Sequence, residues 1–474
     1  MTVRNGSVLF VTVLLGLTLG TGLLATARQN AIQQRIVDLP MEQASQIYIG
    51  ADDDDTVAAK PVITQQYPAD HPAAVHPVLR WSRIDGAVMY DVQILTRHEE
   101  EHEDGTAQNV YYEPLMPLQR TYTTGCQLAL PENFTGNTFY WRVRALALDG
   151  RPVSEFSNLA QVYIDRTLPA TEKPTTLSRY NKGNGTVLLY PVYDWIAIPG
   201  ADHYEVEVLD DKPENPNDIA PSAHRIDSYA PRYAQQYDQK SRMADRPFYW
   251  RVRAVDSTGG PIGVYSDAQP YLTDPAANYG VAIFGDSISH GGGSISYSPT
   301  DWEFSYGSYL YFPTVNLSQS GDTSAMSSER FERDVVPFHP KYVLILMGSN
   351  SLREGVPAAN VIADMKSVKA KCQENGIHPV FLTVPPVNPD NIKKAFDQDT
   401  VWNWQSQFDQ VNSYIRSQVH IDITSDMADE NGELRTDLAL DGLHMDPPGK
   451  KMMADAINAA WPEITALPDS AWEE

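Results

Sequence analysis

Cysteine is nearly absent from this chain. With only Cys126 and Cys372 in 474 residues, a disulfide framework and a cysteine-rich zinc site are both excluded. The two lie far apart in sequence, in what read below as different domains, and are taken as buried thiols and not a bridge. Positive charge is also scarce. Lys and Arg number 36 against 61 Asp and Glu, a formal net charge of −25, and no basic cluster interrupts it. Such a field repels phosphate backbones and anionic headgroups, which excludes nucleic acid as a partner and charge-driven docking on a membrane. Apolar residues at 42% and charged residues at 20% exclude a disordered or collagen-like chain. The length suits about three domains.

Long apolar runs are lacking too, with one exception. Val8 to Ala25 carries no charge, follows Arg4, and ends at Ala25-Thr26-Ala27, a small-x-small cleavage pattern. That is the layout of a secretory signal peptide. The run also just reaches the span of a membrane helix, so an uncleaved anchor is the alternative. Both place the remainder outside the cytoplasm, whether periplasmic, secreted or at the cell surface. Residues 1–27 are therefore read as signal or anchor, and 28–60, with the run Asp52-Asp53-Asp54-Asp55, as a solvated linker. The run lacks the alternating spacing and central glycine of a calcium loop.

The next two hundred residues or so repeat themselves. Pro77-Val78-Leu79-Arg80-Trp81, Gly86-Ala87 and Tyr90 to Leu95 correspond to Tyr193-Asp194-Trp195, Gly200-Ala201 and Tyr204 to Leu209. Phe139-Tyr140-Trp141-Arg142-Val143-Arg144-Ala145 corresponds to Phe248-Tyr249-Trp250-Arg251-Val252-Arg253-Ala254, and each copy then has a serine-containing return, at Ser154 to Ser157 and at Ser266. The runs alternate with period two: Tyr204, Val206 and Val208 point one way, Glu205 and Glu207 the other. Such alternation marks half-buried antiparallel strands, and a unit this long marks tandem domains. The strand patterns resemble fibronectin type III and related immunoglobulin-like β-sandwich modules, which implies two all-β sandwiches, residues 61–166 and 167–275. The acidic loop His98 to Asp104 reads as a solvated hairpin tip and not a metal site. Tyr111-Tyr112 and the group Tyr229, Tyr233 and Tyr237 are candidates to stack sugars, although sandwich edges carry tyrosines in any case.

In residues 276–474 apolar runs alternate with helical stretches, as in a parallel sheet flanked by helices. Val281 to Phe284, Val343 to Met347 and Val380 to Val384 read as strands, Thr314 to Leu317 as a weaker one, Ala358 to Asn375 as a helix, and Lys450 to Ala460 as the last helix. Sites on such sheets form where strands end. Gly285-Asp286-Ser287 follows the first strand, Gln319-Ser320-Gly321-Asp322 the second, Gly348-Ser349-Asn350-Ser351 the third, and Asp441-Gly442-Leu443-His444 lies before the final helix. In this order the four blocks resemble the SGNH (GDSL) hydrolase family over roughly the last two hundred residues. The resemblance implies an α/β/α, flavodoxin-like domain and a serine esterase. Arg330 to Val335, after Gly321-Asp322-Thr323, resembles the lysophospholipase and acetyl-esterase branch. The family's third block often ends in an acid where this chain has Ser351; a change in local hydrogen bonding is expected there.

The resemblance assigns Ser287 as nucleophile, His444 as base and Asp441 as the acid that orients it. The oxyanion donors would be the N–H groups of Ser287 and Gly321 and the side-chain amide of Asn350. The chemistry agrees: a serine hydroxyl needs a base, and imidazole can take its proton and return it to the leaving alcohol. No metal or organic cofactor is required. The Gly-rich stretch His290 to Tyr297 and the aromatics Trp302, Phe304, Tyr306, Tyr309 and Tyr311 follow the serine; His290, Trp302 and Tyr306 are the candidates for contact with substrate. The leading expectation is an exported esterase that removes acetyl or similar acyl groups from a polysaccharide. An acyltransferase and a lysophospholipase or thioesterase are the enzymatic alternatives, and a glycan-binding surface protein with a vestigial hydrolase domain the non-enzymatic one.

Overall fold

Alternating runs become two antiparallel β-modules, and the strand–helix pattern becomes a parallel sheet with helices. The computed structural model describes residues 59–472 except 85–86, 101–108, 148–149, 178–186 and 293–303. The export segment, the run Asp52 to Asp55, most of the loop 98–104, residues 293–297 and Trp302 lie outside the described residues.

The first module holds β1 (Val78–Arg80), β2 (Met89–Glu100), β3 (Asn109–Pro114), β4 (Gln119–Thr121), β5 (Gly125–Gln127), β6 (Thr138–Leu146) and β7 (Ala160–Tyr163). One sheet has the order β3-β2-β6-β7 with β4 on β2; the other pairs β1 with β5. The second module holds β8 (Val192–Asp194), β9 (His203–Leu209), β10 (Arg225–Tyr229), β11 (Gln235–Tyr237), β12 (Phe248–Val255), β13 (Pro261–Ile262) and β14 (Gln269–Tyr271). Its sheets run β10-β9-β12-β13, with β14 on β12, and β11-β8.

Repeated residues do repeated work. Trp81 packs on Tyr90 and Trp141, with ring centroids 5.5 and 6.0 Å apart; Trp195 packs on Tyr204 and Trp250, at 5.1 and 6.4 Å. The Tyr90 and Tyr204 hydroxyls accept the N–H groups of Ile84 and Ile198, at 3.3 and 2.9 Å, in equivalent connections from one sheet to the other. The serines of the return segments stand in for a missing strand: Ser157 Oγ accepts from Val143 N–H at 3.1 Å, and Ser266 Oγ from Val252 N–H at 3.0 Å.

The polar face of β9 and β12 is not open to water at its centre. Glu207 and Arg251 are both fully buried and paired at 2.8 Å. The chain past β9 folds over them, so that the carbonyls of Asn215 and Ala220 accept from the Arg251 guanidinium, each at 3.0 Å. Period-two alternation finds the face of a strand; it carries no signal for a loop that later covers it. Cys126 and Cys372 are free thiols, Cys372 buried and Cys126 partly exposed.

The C-terminal domain contains β15 (Val281–Gly285), β16 (Val315–Asn316), β17 (Tyr342–Leu346), β18 (His378–Leu382) and β19 (His420–Ile421), all parallel in the order β16-β15-β17-β18-β19. Its helices are α1 (Ser287–His290), α2 (Ser324–Asp334), α3 (Ser349–Arg353), α4 (Ala358–Glu374), α5 (Pro389–Phe396), α6 (Trp404–Arg416) and α7 (Pro447–Thr465). The last helix begins three residues before the Lys450 expected from sequence and runs past Ala460. Proline fits the first turn of a helix, where its missing N–H is no loss. Among the described residues no helix is long and apolar enough to cross a membrane.

The outer edge of β16 is not bare. Leu188 pairs with Asn316 in parallel, Leu189 N–H donates to Asn316 O at 2.9 Å, and Asn316 N–H donates to Val187 O at 2.8 Å. Val187, Leu189, Tyr190, Val192 and Tyr237, counted with the second module by sequence, pack inside the core of the C-terminal domain.

Candidate active site

Gly285 ends β15 where it lies against β17, and a Cβ there would sit 1.9 Å from the Leu346 carbonyl oxygen. Only glycine allows the two strand ends so close. Asp286 then caps α1, its Oδ1 accepting from Ile288 N–H at 3.0 Å. A helix of four residues cannot hold itself, and its carbonyls need outside donors. Lys450 Nζ donates to Ile288 O at 2.6 Å, and Asn316 Nδ2 donates to Ser289 O at 2.9 Å and His290 O at 3.1 Å. Ser287 is the first residue of this braced turn.

Ser287 Oγ lies 2.8 Å from His444 Nε2, and His444 Nδ1 lies 2.9 Å from Asp441 Oδ2. The other carboxylate oxygen of Asp441 accepts from the N–H groups of Leu443 and His444, at 2.8 and 2.7 Å. With both oxygens engaged, the carboxylate has one orientation and the imidazole is held edge-on to it. The Phe396 ring meets His444 edge to face, centroids 6.0 Å apart. All three residues are buried, Ser287 being 7% exposed and His444 5%.

Gly321 and Asn350 follow β16 and β17, the strands on either side of β15. Gly321 has φ +92°, a value suited to glycine, in a turn anchored by Gln319 N–H to Gly285 O at 3.0 Å. Asn350 donates one amide proton to Asp322 O at 2.9 Å, and its Oδ1 accepts from Arg353 Nε at 3.3 Å. These contacts fix the amide and leave its second N–H to point elsewhere. Ser351, in the place where the related pattern has an acid, accepts from Ser324 N–H at 2.9 Å and so ties α3 to the start of α2.

Beneath the turn, Arg330 pairs with Asp322 and Asp334 and donates to Leu317 O at 2.7 Å and Gly285 O at 2.9 Å. Asp286 has no such cation on its second oxygen, which is buried without a hydrogen-bond partner. Burial pushes its carboxyl up to about 7, the neighbouring Asp322 adding to the rise.

Two of the expected substrate contacts lie elsewhere. His290 is fully buried: its Nε2 lies 2.7 Å from Tyr190 O and its Nδ1 2.9 Å from Ser320 Oγ. Tyr306 is fully buried too, its hydroxyl 3.1 Å from Ser289 Oγ. Tyr237, grouped above with sugar-stacking candidates, is buried against His290, ring centroids 5.1 Å apart. The sequence reading missed Arg353, Lys450 and Trp402. Arg353 had a signal, lying three residues after Asn350 on the same helix face. Lys450 had none, since a lysine in an amphipathic helix reads as surface. Trp402 is 94% exposed, on the loop between α5 and α6. That loop is tied to the Asn350 support: Val401 N–H donates to Arg353 O at 3.0 Å, and Arg353 Nη1 donates to Gln398 Oε1 at 3.0 Å. Among the described residues no group of His, Cys, Asp and Glu is arranged to hold a metal ion.

Residues 283–452, a little over a third of the chain, match the GDSL-like Lipase/Acylhydrolase family. The C-terminal domain is therefore that of a serine hydrolase acting on ester bonds. Similar solved structures include a GDSL-like lipase from Bacteroides thetaiotaomicron, 21% identical, covering 39% of this chain and 87% of its own with a TM-score of 0.32. A lipase/acylhydrolase from Enterococcus faecalis is 19% identical, with coverages of 38% and 93% and a TM-score of 0.31. The psychrotrophic esterase EstA from Pseudoalteromonas sp. is 18% identical, with coverages of 40% and 98% and a TM-score of 0.28. No curated protein matches the chain.

Proposed function

We propose that this protein is an exported esterase that removes O-acyl groups, acetyl above all, from a glycan, with Ser287, His444 and Asp441 as its catalytic residues. The observation that carries this reading is the unbroken hydrogen-bond chain from Ser287 Oγ through His444 to Asp441. Nε2 takes the serine proton as Oγ attacks the acyl carbon, and the imidazolium gives that proton to the departing sugar hydroxyl. Water then attacks the acyl carbon and loses a proton to His444, and the imidazolium returns that proton to Ser287 Oγ as the acyl–Oγ bond breaks and the acid leaves. Asp441 holds the tautomer and stabilises the imidazolium without itself taking a proton. The N–H groups of Ser287 and Gly321 and the second Asn350 N–H receive the negative oxygen, and losing one such donor costs roughly a hundredfold or more in turnover.

Two features favour a glycan over a lipid surface. The net charge of −25 opposes anionic headgroups, and Trp402 offers an open ring on the loop tied to Arg353, with Asp397 and Asp399 on the same exposed loop. The apolar run of residues 8–25 supports export. The two antiparallel modules, each with two sheets, are read as fibronectin type III-like sandwiches.

A fluorophosphonate probe should label the wild type and not Ser287→Ala, and acetate release from acetylated polysaccharide should vanish in the same variant. Release that persists in Ser287→Ala would sink the reading. Trp402→Ala should raise KM for the polymer by roughly threefold to tenfold and leave p-nitrophenyl acetate unaffected. A loss confined to micellar esters would instead assign Trp402 to a lipid surface.

A further inference from the structure

The turn that presents Gly321 does not stand on the hydrolase domain alone. Ser320 N–H donates to the Tyr237 hydroxyl at 3.2 Å, and Tyr237 lies at the end of β11 in the second module. The Ser320 side chain meets His290 Nδ1 at 2.9 Å, and His290 Nε2 meets Tyr190 O at 2.7 Å. A carbonyl can only accept, so Nε2–H donates to it, and in the neutral ring Nδ1 accepts from the Ser320 hydroxyl. Both polar groups of Ser320 thus end on residues 190 and 237. Tyr190 is fixed in turn, its hydroxyl donating to Asp334 Oδ2 at 2.6 Å and accepting from Arg333 at 3.0 Å. The same chain segment, residues 187–189, extends the parallel sheet beside β16, the strand that leads into the turn.

We infer that the second β-module is a structural part of the catalytic unit, in which Tyr237 and the His290–Tyr190 link position the Ser320–Gly321 turn so that the Gly321 N–H meets the oxyanion. Tyr237 and His290 are positioning residues: neither touches substrate. A peptide N–H aimed at a developing charge is sensitive to small rotations, because the catalytic benefit lies in its being set before the reaction begins. Adding a module elsewhere on the surface would need no such contacts, and a detachable glycan-binding module would not complete the sheet.

The inference rests on the reading of Gly321 as an oxyanion donor, and its test separates the two. In Tyr237→Phe, which removes one oxygen, kcat on p-nitrophenyl acetate should fall roughly tenfold, less than for outright loss of a donor. KM should hold, and the thermal midpoint should fall only by what one part-buried hydrogen bond is worth. Ser320→Ala, which frees His290 Nδ1, should lower kcat in the same way and serves if Tyr237→Phe does not fold. Tyr204→Phe, which loses a hydroxyl bond within the same module far from the turn, should leave kcat unchanged. Unchanged kcat in both Tyr237→Phe and Ser320→Ala overturns the inference, as does an equal loss in Tyr204→Phe. Full turnover in Ser287→Ala would instead overturn the functional reading beneath it.

Discussion

Two copies of one sequence pattern have met different fates here. In the first module, Leu79, Trp81, Val92, Ile94, Trp141 and Val143 close a core of their own, and a small cluster of Val88, Met89 and Leu146 reaches the C-terminal domain, at Phe304 and Leu440. In the second module the Trp195–Trp250 core is equally complete, yet the segment before β8 leaves it to enter the hydrolase core. Aligning the repeats on Trp81 and Trp195 sets Tyr190 opposite His76. Tyr190 is buried, whereas His76 is exposed and pairs with Glu172 at 2.5 Å. The residues that define the fold are common to both copies; those that define the partnership are not.

The comparison breaks most visibly at that aligned pair. Tyr190→Ala empties a buried ring site and removes the hydroxyl bonded to Asp334 and Arg333. The expected loss is about 3–5 kcal/mol, as for other large aromatic truncations, with a fall in kcat because the main-chain carbonyl that holds His290 loses the ring and hydroxyl anchoring it. His76→Ala, an exposed ion pair, should cost about 1 kcal/mol at most and leave turnover intact. Urea denaturation and p-nitrophenyl acetate kinetics on both variants decide it. Equal effects would mean that the modules are tethered alike.

Four sequence blocks and the family they resemble pointed to Ser287, Gly321, Asn350, Asp441 and His444, and the fold brings the serine, histidine and aspartate into one hydrogen-bonded chain, with the glycine and asparagine after the flanking strands. That much was legible because three of the blocks stand where an apolar strand run stops and the fourth, Asp441-Gly442-Leu443-His444, stands before the final helix. The repeat was legible for the same reason, since Trp, Tyr and return serines sit at fixed offsets. His290 was not: its burial is caused by Tyr190, a hundred residues earlier, and no local pattern reports a long-range contact. The sheet extension at residues 187–189 was hidden likewise, because a three-residue run is too short to show any period. Trp402 gave no signal, as exposure of one aromatic depends on what fails to cover it.

A smaller contrast lies between two buried aspartates. Asp91 of the first module receives Arg120 at 2.9 Å and Arg144 at 3.0 Å, whereas Asp286 has an oxygen without a hydrogen-bond partner. Burial lifts the Asp286 carboxyl from 3.8 to about 7. Between these values the folded protein keeps its proton while the unfolded chain has lost it, so unfolding releases a proton. The contribution is whole below about pH 4, falls as pH rises toward 7, and is flat above that. At 1.36 kcal/mol per unit the fall amounts to at most about 4 kcal/mol. Asp286→Asn keeps the acceptor for Ile288 N–H and should flatten the stability–pH curve over this window, gaining on the wild type at pH 8. Asp91→Asn should be destabilised at pH 8, since two arginines lose their carboxylate. A wild-type slope unchanged in Asp286→Asn would place the titrating group elsewhere.

The smallest expected effect is the sharpest control. Ser157 and Ser266 perform one task in the two modules, each hydroxyl accepting a buried strand N–H, and each backbone N–H bonding its partner carbonyl at 2.7 Å. Replacing either by alanine strands the N–H of Val143 or Val252, a loss of about 1–3 kcal/mol. Because the geometry is the same, the two losses should agree within about 0.5 kcal/mol. Turnover well below the melting midpoint should be untouched in both, although Ser266 belongs to the module that supports the oxyanion turn. If Ser266→Ala lowered kcat while Ser157→Ala did not, support would flow from the second module as a whole. If neither did, it would run through the residues that physically meet Ser320 and β16, and the partnership would be a property of a few contacts laid over a fold that the two copies share.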